Sequence, residues 1–157
     1  MGTLKEDIVS QSKWIVKAFA ADNLKLDYSI NSFIAIDQFI GKHSINGRAR
    51  LGGRLRSNLG SVLFSIGSYI GETIIKNVPG ASWITDDKAP DGEITVSVLM
   101  PDGTLIFPVQ RIIKRFKNGI EDSIYVYGYS VTSGYTNIPF NDNYWISTEE
   151  KPWWKFW

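Results

Sequence analysis

Hydrophobic residues recur with a helical period through the first part of the chain. Thr3 begins a capping-box sequence, Thr-x-x-Glu, and the apolar positions that follow it predict a helix over about 4–20. A second run of apolar residues at helical spacing predicts a helix over 30–40, with Asp27 or Ser29 as its N-cap. The chain therefore opens with two amphipathic helices.

A third helical pattern extends over 46–77, with an interruption at Gly52-Gly53. Within this pattern lie three glycines, Gly60, Gly67 and Gly71. Each glycine inside a helix costs about 1 kcal/mol relative to alanine. A compensating interaction is expected, most simply a neighbouring element that packs very close to the helix backbone.

After residue 80 the period of the pattern changes from helical to alternating. Segments 82–85 and 94–100 read as strands, and a Pro-Asp-Gly-Thr turn then leads into 105–107, which is expected to return antiparallel. These three strands predict a small meander.

Helical patterns return after the meander. Pro108 fits the first turn of a helix that ends at Asn118-Gly119. Segment 120–131 has strand propensity, but its apolar residues lie on one helical face and Asn118-x-x-Glu121 resembles a capping box, so a helix is favoured. The prediction is an α+β fold in which N-terminal helices pack on a small antiparallel β-meander and further helices follow. A single domain over 1–157 is expected, with an aromatic C-terminal tail from about residue 134.

Composition limits the chemistry available to the chain. Its 157 residues contain no Cys and one His, which excludes disulfides, thiolate nucleophiles and an imidazole pair for a metal. Sequence motifs for nucleotide phosphate loops, nucleophile elbows and zinc proteases are also missing. We therefore expect a protein without enzymatic activity and without a cofactor or metal, in which His43 is exposed to solvent.

A possible pocket is suggested by Glu72, which follows two glycines one turn apart, Gly67 and Gly71, and lies near the edge of an apolar stripe. Asp37, Tyr69 and Trp83 are candidates to line the same pocket. In a catalytic role Glu72 would need an acid or base partner, and Asp37 is the other carboxylate inside a predicted apolar helix. The favoured interpretation is structural pairing of Glu72 with an arginine, for which the candidates are Arg54, Arg56, Arg111 and Arg115.

A basic segment follows the second helix. Residues 41–60 contain no acidic residue and carry Lys42, Arg48, Arg50, Arg54 and Arg56. The favoured interpretation is that the arginines neutralise the acidic stretch of this chain between Asp86 and Asp102 or are simply solvated. They are also candidates to bind an acidic protein surface or nucleic acid. With 17 basic and 16 acidic residues the overall charge is only +1, so nucleic acid is the least favoured partner.

The last five residues, Trp-Trp-Lys-Phe-Trp, concentrate large aromatic side chains. Trp153, Trp154 and Trp157 are candidates for a protein interface, including that of a homodimer, because Trp is enriched at binding hot spots. The tail can equally fold back on the core of its own domain, and contact with a membrane interface is the third alternative.

Targeting signals are not evident in the sequence. The N-terminal residues lack the apolar core of a signal peptide, and no stretch reaches the roughly 20 apolar residues of a membrane span. A cytoplasmic location is expected, or a periplasmic one if a signal peptide has been removed.

One combination of motifs resembles a known family. A helix with Gly67-x-Tyr69-Ile70-Gly71-Glu72 is followed by Gly80-x-x-Trp83 and then by a helix led by Pro108. This order resembles a bacterial family of uncharacterised domains, over about residues 30–131. Some members look like immunity partners of toxins. The resemblance implies a module that binds and inhibits a bacterial effector toxin, and the alternative is a small-ligand binding protein or a hydrolase with a pocket near Glu72.

Overall fold

The structure, a computed structural model, describes residues 3–144. Its α-helices are α1 (Leu4–Ala21), α2 (Phe33–His43), α3 (Leu59–Asn77), α4 (Gly92–Thr95), α5 (Pro108–Asn118) and α6 (Ile124–Thr132). Its strands are β1 (Ser44–Ile45), β2 (Arg48–Ala49), β3 (Ser82–Ile84), β4 (Ser97–Leu99) and β5 (Leu105–Ile106). The predicted α+β class is confirmed.

The first two helices are close to their predicted positions. Thr3 caps α1, because its hydroxyl accepts a hydrogen bond of 3.2 Å from the backbone N–H of Glu6. Ser29 caps a 3₁₀ turn over Ile30–Ser32, and α2 follows it directly. Helix α2 continues through Gly41 to His43.

The pattern over 46–77 is helical only in its second part. Strands β1 and β2 form a short hairpin whose turn residues, Asn46 and Gly47, both have positive φ. Asn-Gly is a strong signal for such a turn, and here it overrides the helical pattern. The chain then forms a loop, and α3 begins at Leu59. The prediction of helix before residue 59 is wrong.

Helix α3 lies at the centre of the fold, between α1 and α5. At Gly67 a Cβ atom would lie 2.8 Å from the backbone Cα of Val109 in α5, and at Gly71 it would overlap the ring of Trp83. The expected close packing is confirmed at these two glycines. Around Gly60 there is open space, so that glycine has no such role.

Strands β3, β4 and β5 form the predicted antiparallel meander, with Trp83 opposite Val98 and Val98 opposite Ile106. The second strand is shorter than predicted, because the one-turn helix α4 takes up residues 92–95. Side chains of Val98 and Ile106 are buried against the helices.

Helix α5 begins at Pro108 as predicted and ends before Gly119, whose φ is 88°. The preference for helix in the segment that follows is also confirmed, since it forms a 3₁₀ turn and α6. The proposed capping box is wrong, because Ser123 caps α6 by accepting from the N–H of Val126 at 3.2 Å. Asn118 instead donates to the carboxylate of Asp122 at 2.7 Å.

Within residues 3–144, no helix has both the length and the apolar character that crossing a bilayer requires.

Candidate functional site

Asp37, a predicted pocket residue, lies on α2 and is fully buried. Its carboxylate accepts hydrogen bonds from Nε of Arg115 (2.8 Å), from the hydroxyl of Ser123 (2.7 Å), and from the backbone N–H groups of Ile124 (3.0 Å) and Tyr125 (3.1 Å). The carboxylate thus joins α2 to the start of α6 and to the buried Arg115. This is a structural network.

Tyr69 is equally buried on α3. Its hydroxyl accepts from the backbone N–H of Tyr28 at 2.8 Å and lies 2.6 Å from the hydroxyl of Ser32. Phe33 packs edge-on against its ring. Burial raises the pKa of Tyr69, and the hydrogen bond with Ser32 partly offsets that effect. Tyr69 therefore fixes the segment before α2 onto α3.

Glu72 and Trp83 form a third, separate contact. The indole N–H of Trp83 donates to Glu72 at 3.0 Å, and both side chains are half-buried. The favoured pairing of Glu72 with an arginine is wrong. Arg54, Arg111 and Arg115 bind Asp22, Asp122 and Asp37 instead. The four predicted pocket residues therefore occupy three hydrogen-bonding environments, and none of them lines the cavities described below.

The solitary histidine, expected in solvent, is buried at 9% exposure. Its Nδ1 accepts from the backbone N–H of Arg54 at 3.1 Å, and its ring packs on Phe39. An Nδ1 that accepts must be unprotonated. The pKa of His43 is correspondingly lowered, first by burial and then by nearby cations such as Lys42. The histidine therefore holds the arginine-rich loop against α2.

We name the basic segment of residues 42–56 the basic end. Its arginine side chains differ in how exposed they are. Among the residues that the structure describes, neither Arg48 nor Arg56 makes a side-chain hydrogen bond or ion pair, and both are exposed. Arg50 is half-buried and its Nε donates to the carbonyl of Ser44 at 3.3 Å. Arg54 binds Asp22 through two nitrogens, at 2.8 and 3.2 Å, and lowers the pKa of that carboxyl.

An acidic end lies at the other end of α1. It comprises six carboxylates around the first turn of the helix: Glu6, Asp7, Asp86, Asp87, Asp91 and Glu93. Asp87 accepts from the backbone N–H of Leu4 at 2.7 Å, which fixes the segment from 86 to 93 against the start of α1. Arg54 binds Asp22, the C-cap of the same helix. With a rise of 1.5 Å per residue, Leu4 and Asp22, to which these two ends are fixed, lie about 27 Å apart along the helix.

For Arg54, that separation argues against neutralisation by the acidic end. Charges in solvent are screened beyond about 8 Å at physiological ionic strength. The acidic end therefore does not neutralise Arg54, whose partner is Asp22. Arg48 and Arg56 have no ion pair within residues 3–144, so their positive charge is available to a group outside that part of the chain.

A trench runs between the two ends along one face of α1. The start of α3 and the loop before it form one side of the trench. Helix α1 forms the other side, with the residues Asp7, Gln11, Trp14, Ala18 and Ala21. Three cavities of about 290, 540 and 220 Å³ follow one another along it and share lining residues. Half of the Trp14 side chain, 50%, is exposed beside the last of them.

The predicted tail residues Trp153, Trp154 and Trp157 lie outside the described residues. The first part of the tail folds back on the domain, because the backbone N–H of Asn141 donates to the hydroxyl of Tyr125 at 2.8 Å. Phe140 and Tyr144 pack on the ring of Tyr125, at 5.4 and 5.5 Å between centroids. An aromatic cluster around Tyr125, near the start of α6, therefore holds this part of the tail against the domain.

Comparisons with protein-family models, with curated proteins and with solved structures found no match to this chain. Between residues 3 and 144 no group of three or more His, Cys, Asp or Glu side chains is arranged to hold a metal ion.

Sequence reasoning missed Trp14 and Asp22. A signal for Trp14 exists, since it falls outside the apolar stripe of Ile8, Ile15 and Phe19 that is buried on the same helix. A large aromatic residue on the polar face of an amphipathic helix is a candidate contact residue. For the Asp22 pair with Arg54, 32 positions away, no local pattern exists.

Proposed function

We propose that this chain is a non-enzymatic protein-binding module that recognises an acidic surface of another protein with its basic end. The observation that carries the proposal is the exposure of Arg48 and Arg56, whose side chains have no partner among the described residues. Arginine is enriched at binding hot spots because its planar group binds carboxylates with two parallel hydrogen bonds.

The geometry favours a protein over a nucleic acid as the partner. A nucleic-acid backbone extends its negative charge over many nucleotides, and the acidic end, at the opposite end of α1 from the Arg54–Asp22 pair, would repel it. Aromatic side chains able to stack on bases do not accompany Arg48 and Arg56 on their strand and loop. A compact acidic patch on a folded protein avoids this repulsion.

The class of partner comes from the family resemblance alone. It implies a bacterial effector toxin, whose activity the bound module would block. Recognition of an acidic patch by exposed arginines would speed association and would weaken with added salt.

The test compares two double charge-reversal variants in affinity capture from a lysate of the source organism. Arg48→Glu with Arg56→Glu removes the basic end's two unpaired arginines. Lys13→Glu with Lys17→Glu changes the net charge by the same amount on exposed positions of α1. We expect the wild type and the lysine variant to capture the same stoichiometric protein, and the arginine variant to lose it.

The captured protein is then assayed for an activity that added wild-type chain inhibits. Equal capture by the arginine variant and by the wild type would contradict the proposal. Capture of RNA or DNA in place of a protein would favour the nucleic-acid interpretation.

A further inference from the structure

The trench along α1 has opposite charges at its two ends, and these ends lie almost symmetrically about Trp14. Asp7 is seven residues before Trp14, which corresponds to about 10.5 Å along the helix axis. Asp22, which holds Arg54, is eight residues after Trp14, or about 12 Å. An identical helix turned by 180° about an axis near Trp14 would therefore place its acidic end opposite the arginine of the first.

The charge presented at the basic side of the trench is that of the arginine. The side chain of Arg54 is 64% exposed, whereas that of its partner Asp22 is 21% exposed. Asp7 and Glu93, which line the other end of the trench, are both exposed. Contact between the two ends of two copies would bring carboxylates against a guanidinium group, as an electrostatically complementary interface requires.

The middle of the trench offers an apolar contact between the charged ends. The cavity beside Trp14 has a volume of about 220 Å³ and is lined mainly by apolar side chains, among them Phe19, Phe39 and Val62. Pockets for drug-sized ligands measure about 300–1,000 Å³, so this cavity suits a single large side chain better than a small molecule. The half-exposed Trp14 of a second copy is such a side chain.

We propose that two copies of this chain associate through the α1 face about a two-fold axis near Trp14. The two α1 helices are antiparallel, Asp7 and Glu93 of each copy face Arg54 of the other, and each Trp14 packs at the cavity of its partner copy. An isologous interface requires such a self-complementary face. This association uses Arg54 and Trp14, so it does not depend on the function proposed for Arg48 and Arg56.

The size of the face predicts a dimer that depends on concentration. Helix α1 is about 27 Å long, and a single helix face of this length buries less than the roughly 800 Å² per partner of a standard interface. Sedimentation of the full chain from about 1 μM to 1 mM covers the range in which weak interfaces associate. A wild type that stays monomeric throughout this range overturns the proposal.

Trp14→Ala tests the apolar contact, with Lys17→Glu as a control on α1 outside the trench. Since buried aromatic anchors dominate interface energetics, we expect Trp14→Ala to raise the dimer dissociation constant at least about tenfold. The control is expected to change it less than about threefold. A dimer that Trp14→Ala leaves intact uses another surface, such as the C-terminal aromatic residues, and contradicts the assignment.

A charge exchange tests the antiparallel arrangement. One variant carries Asp7→Lys with Glu93→Lys, and the other carries Arg54→Glu, so each alone places like charges opposite each other. Both are expected to be monomeric, whereas their equimolar mixture forms a heterodimer, because both contacts are again between opposite charges. Native mass spectrometry with a tag on one variant measures the species.

A mixture that remains monomeric while the wild type is dimeric would overturn the arrangement. Thermal unfolding of each variant checks its fold. Arg54→Gln, which adds no repulsion against Asp22, provides a milder variant that is expected to weaken the wild-type dimer without abolishing it.

Discussion

The carboxylate of Asp37 and the guanidinium of Arg115 lie 2.8 Å apart with side chains only 0% and 4% exposed, although 78 positions separate them in the sequence. A second guanidinium nitrogen of Arg115 donates to the backbone carbonyl of Asp37 at 3.2 Å. This pair holds α5 against α2 and supports the start of α6. It explains why a carboxylate lies in an apolar helix without any need for a catalytic role.

Asp37→Ala is expected to lower the free energy of unfolding by about 3–5 kcal/mol, because it leaves the buried charge of Arg115 without its partner. Asp22→Ala, which breaks the exposed pair with Arg54, is the matched control and is expected to cost less than about 1 kcal/mol. Urea unfolding of both variants measures the difference. Similar losses in the free energy of unfolding would show that the buried ion pair contributes no more to stability than the exposed one.

Two glycines of α3 are expected to respond in opposite directions to alanine. Gly67→Ala places a methyl group against the backbone of Val109, which cannot move aside as a side chain does, and is expected to cost about 1–3 kcal/mol. Gly60→Ala meets open space and is expected to raise stability by up to about 1 kcal/mol through helix propensity. Unfolding of the two variants at equal protein concentration tests the close approach of α5, and a stabilising Gly67→Ala would contradict it.

Tyr69→Phe removes a hydroxyl that binds the backbone N–H of Tyr28 and the hydroxyl of Ser32. Because the donor of Tyr28 then loses its acceptor inside the fold, we expect a loss of about 1–3 kcal/mol in the free energy of unfolding. Tyr135→Phe, at a side chain that is 38% exposed, is expected to have little effect. If the Tyr69 variant and the wild type have the same free energy of unfolding, the hydroxyl does not stabilise the contact between α3 and the segment before α2.

Stability is expected to fall as the pH falls from about 7.5 to 5.5. Burial, followed by nearby Lys42, holds the pKa of His43 below its usual value of 6.5 in the folded chain. In the unfolded chain the imidazole takes up its proton near its ordinary pKa, so the unfolded state binds more protons and gains stability at the lower pH. Urea unfolding at both pH values is expected to show a smaller loss in His43→Gln than in the wild type. An equal loss in the two proteins would show that His43 is not the source.

The sequence predicts those parts of the fold that depend on neighbouring residues. The Thr3 cap, the helix led by Pro108 and the three-stranded meander follow from short patterns, because capping, proline geometry and alternation act over a few residues. The error before residue 59 arose where the Asn46-Gly47 turn and the apolar pattern conflicted. Local turn geometry decided the outcome there.

Less of the candidate site can be predicted from the sequence, because its contacts join residues that are far apart along the chain. The sequence favours an arginine as the partner of Glu72, but Glu72 accepts from the indole N–H of Trp83, and Arg115 binds Asp37. The packing of α2, α3 and α5 determines which carboxylate forms an ion pair with which arginine. The separation of charge along α1 also depends on long-range contacts, because Asp87 binds Leu4 at the start of the helix and Arg54 binds Asp22 at its other end.

The separation of charge along α1 affects how the molecule would orient near a charged partner. Opposite charges fixed at the two ends of α1, which is about 27 Å long, give the chain a permanent electric dipole moment, even though its net charge is only +1. In the field of an acidic partner the molecule experiences a torque that turns its arginine-bearing end forward before any contact forms. With a partner of the proposed kind, collisions would therefore be oriented on arrival, and the association rate would exceed what the net charge alone provides.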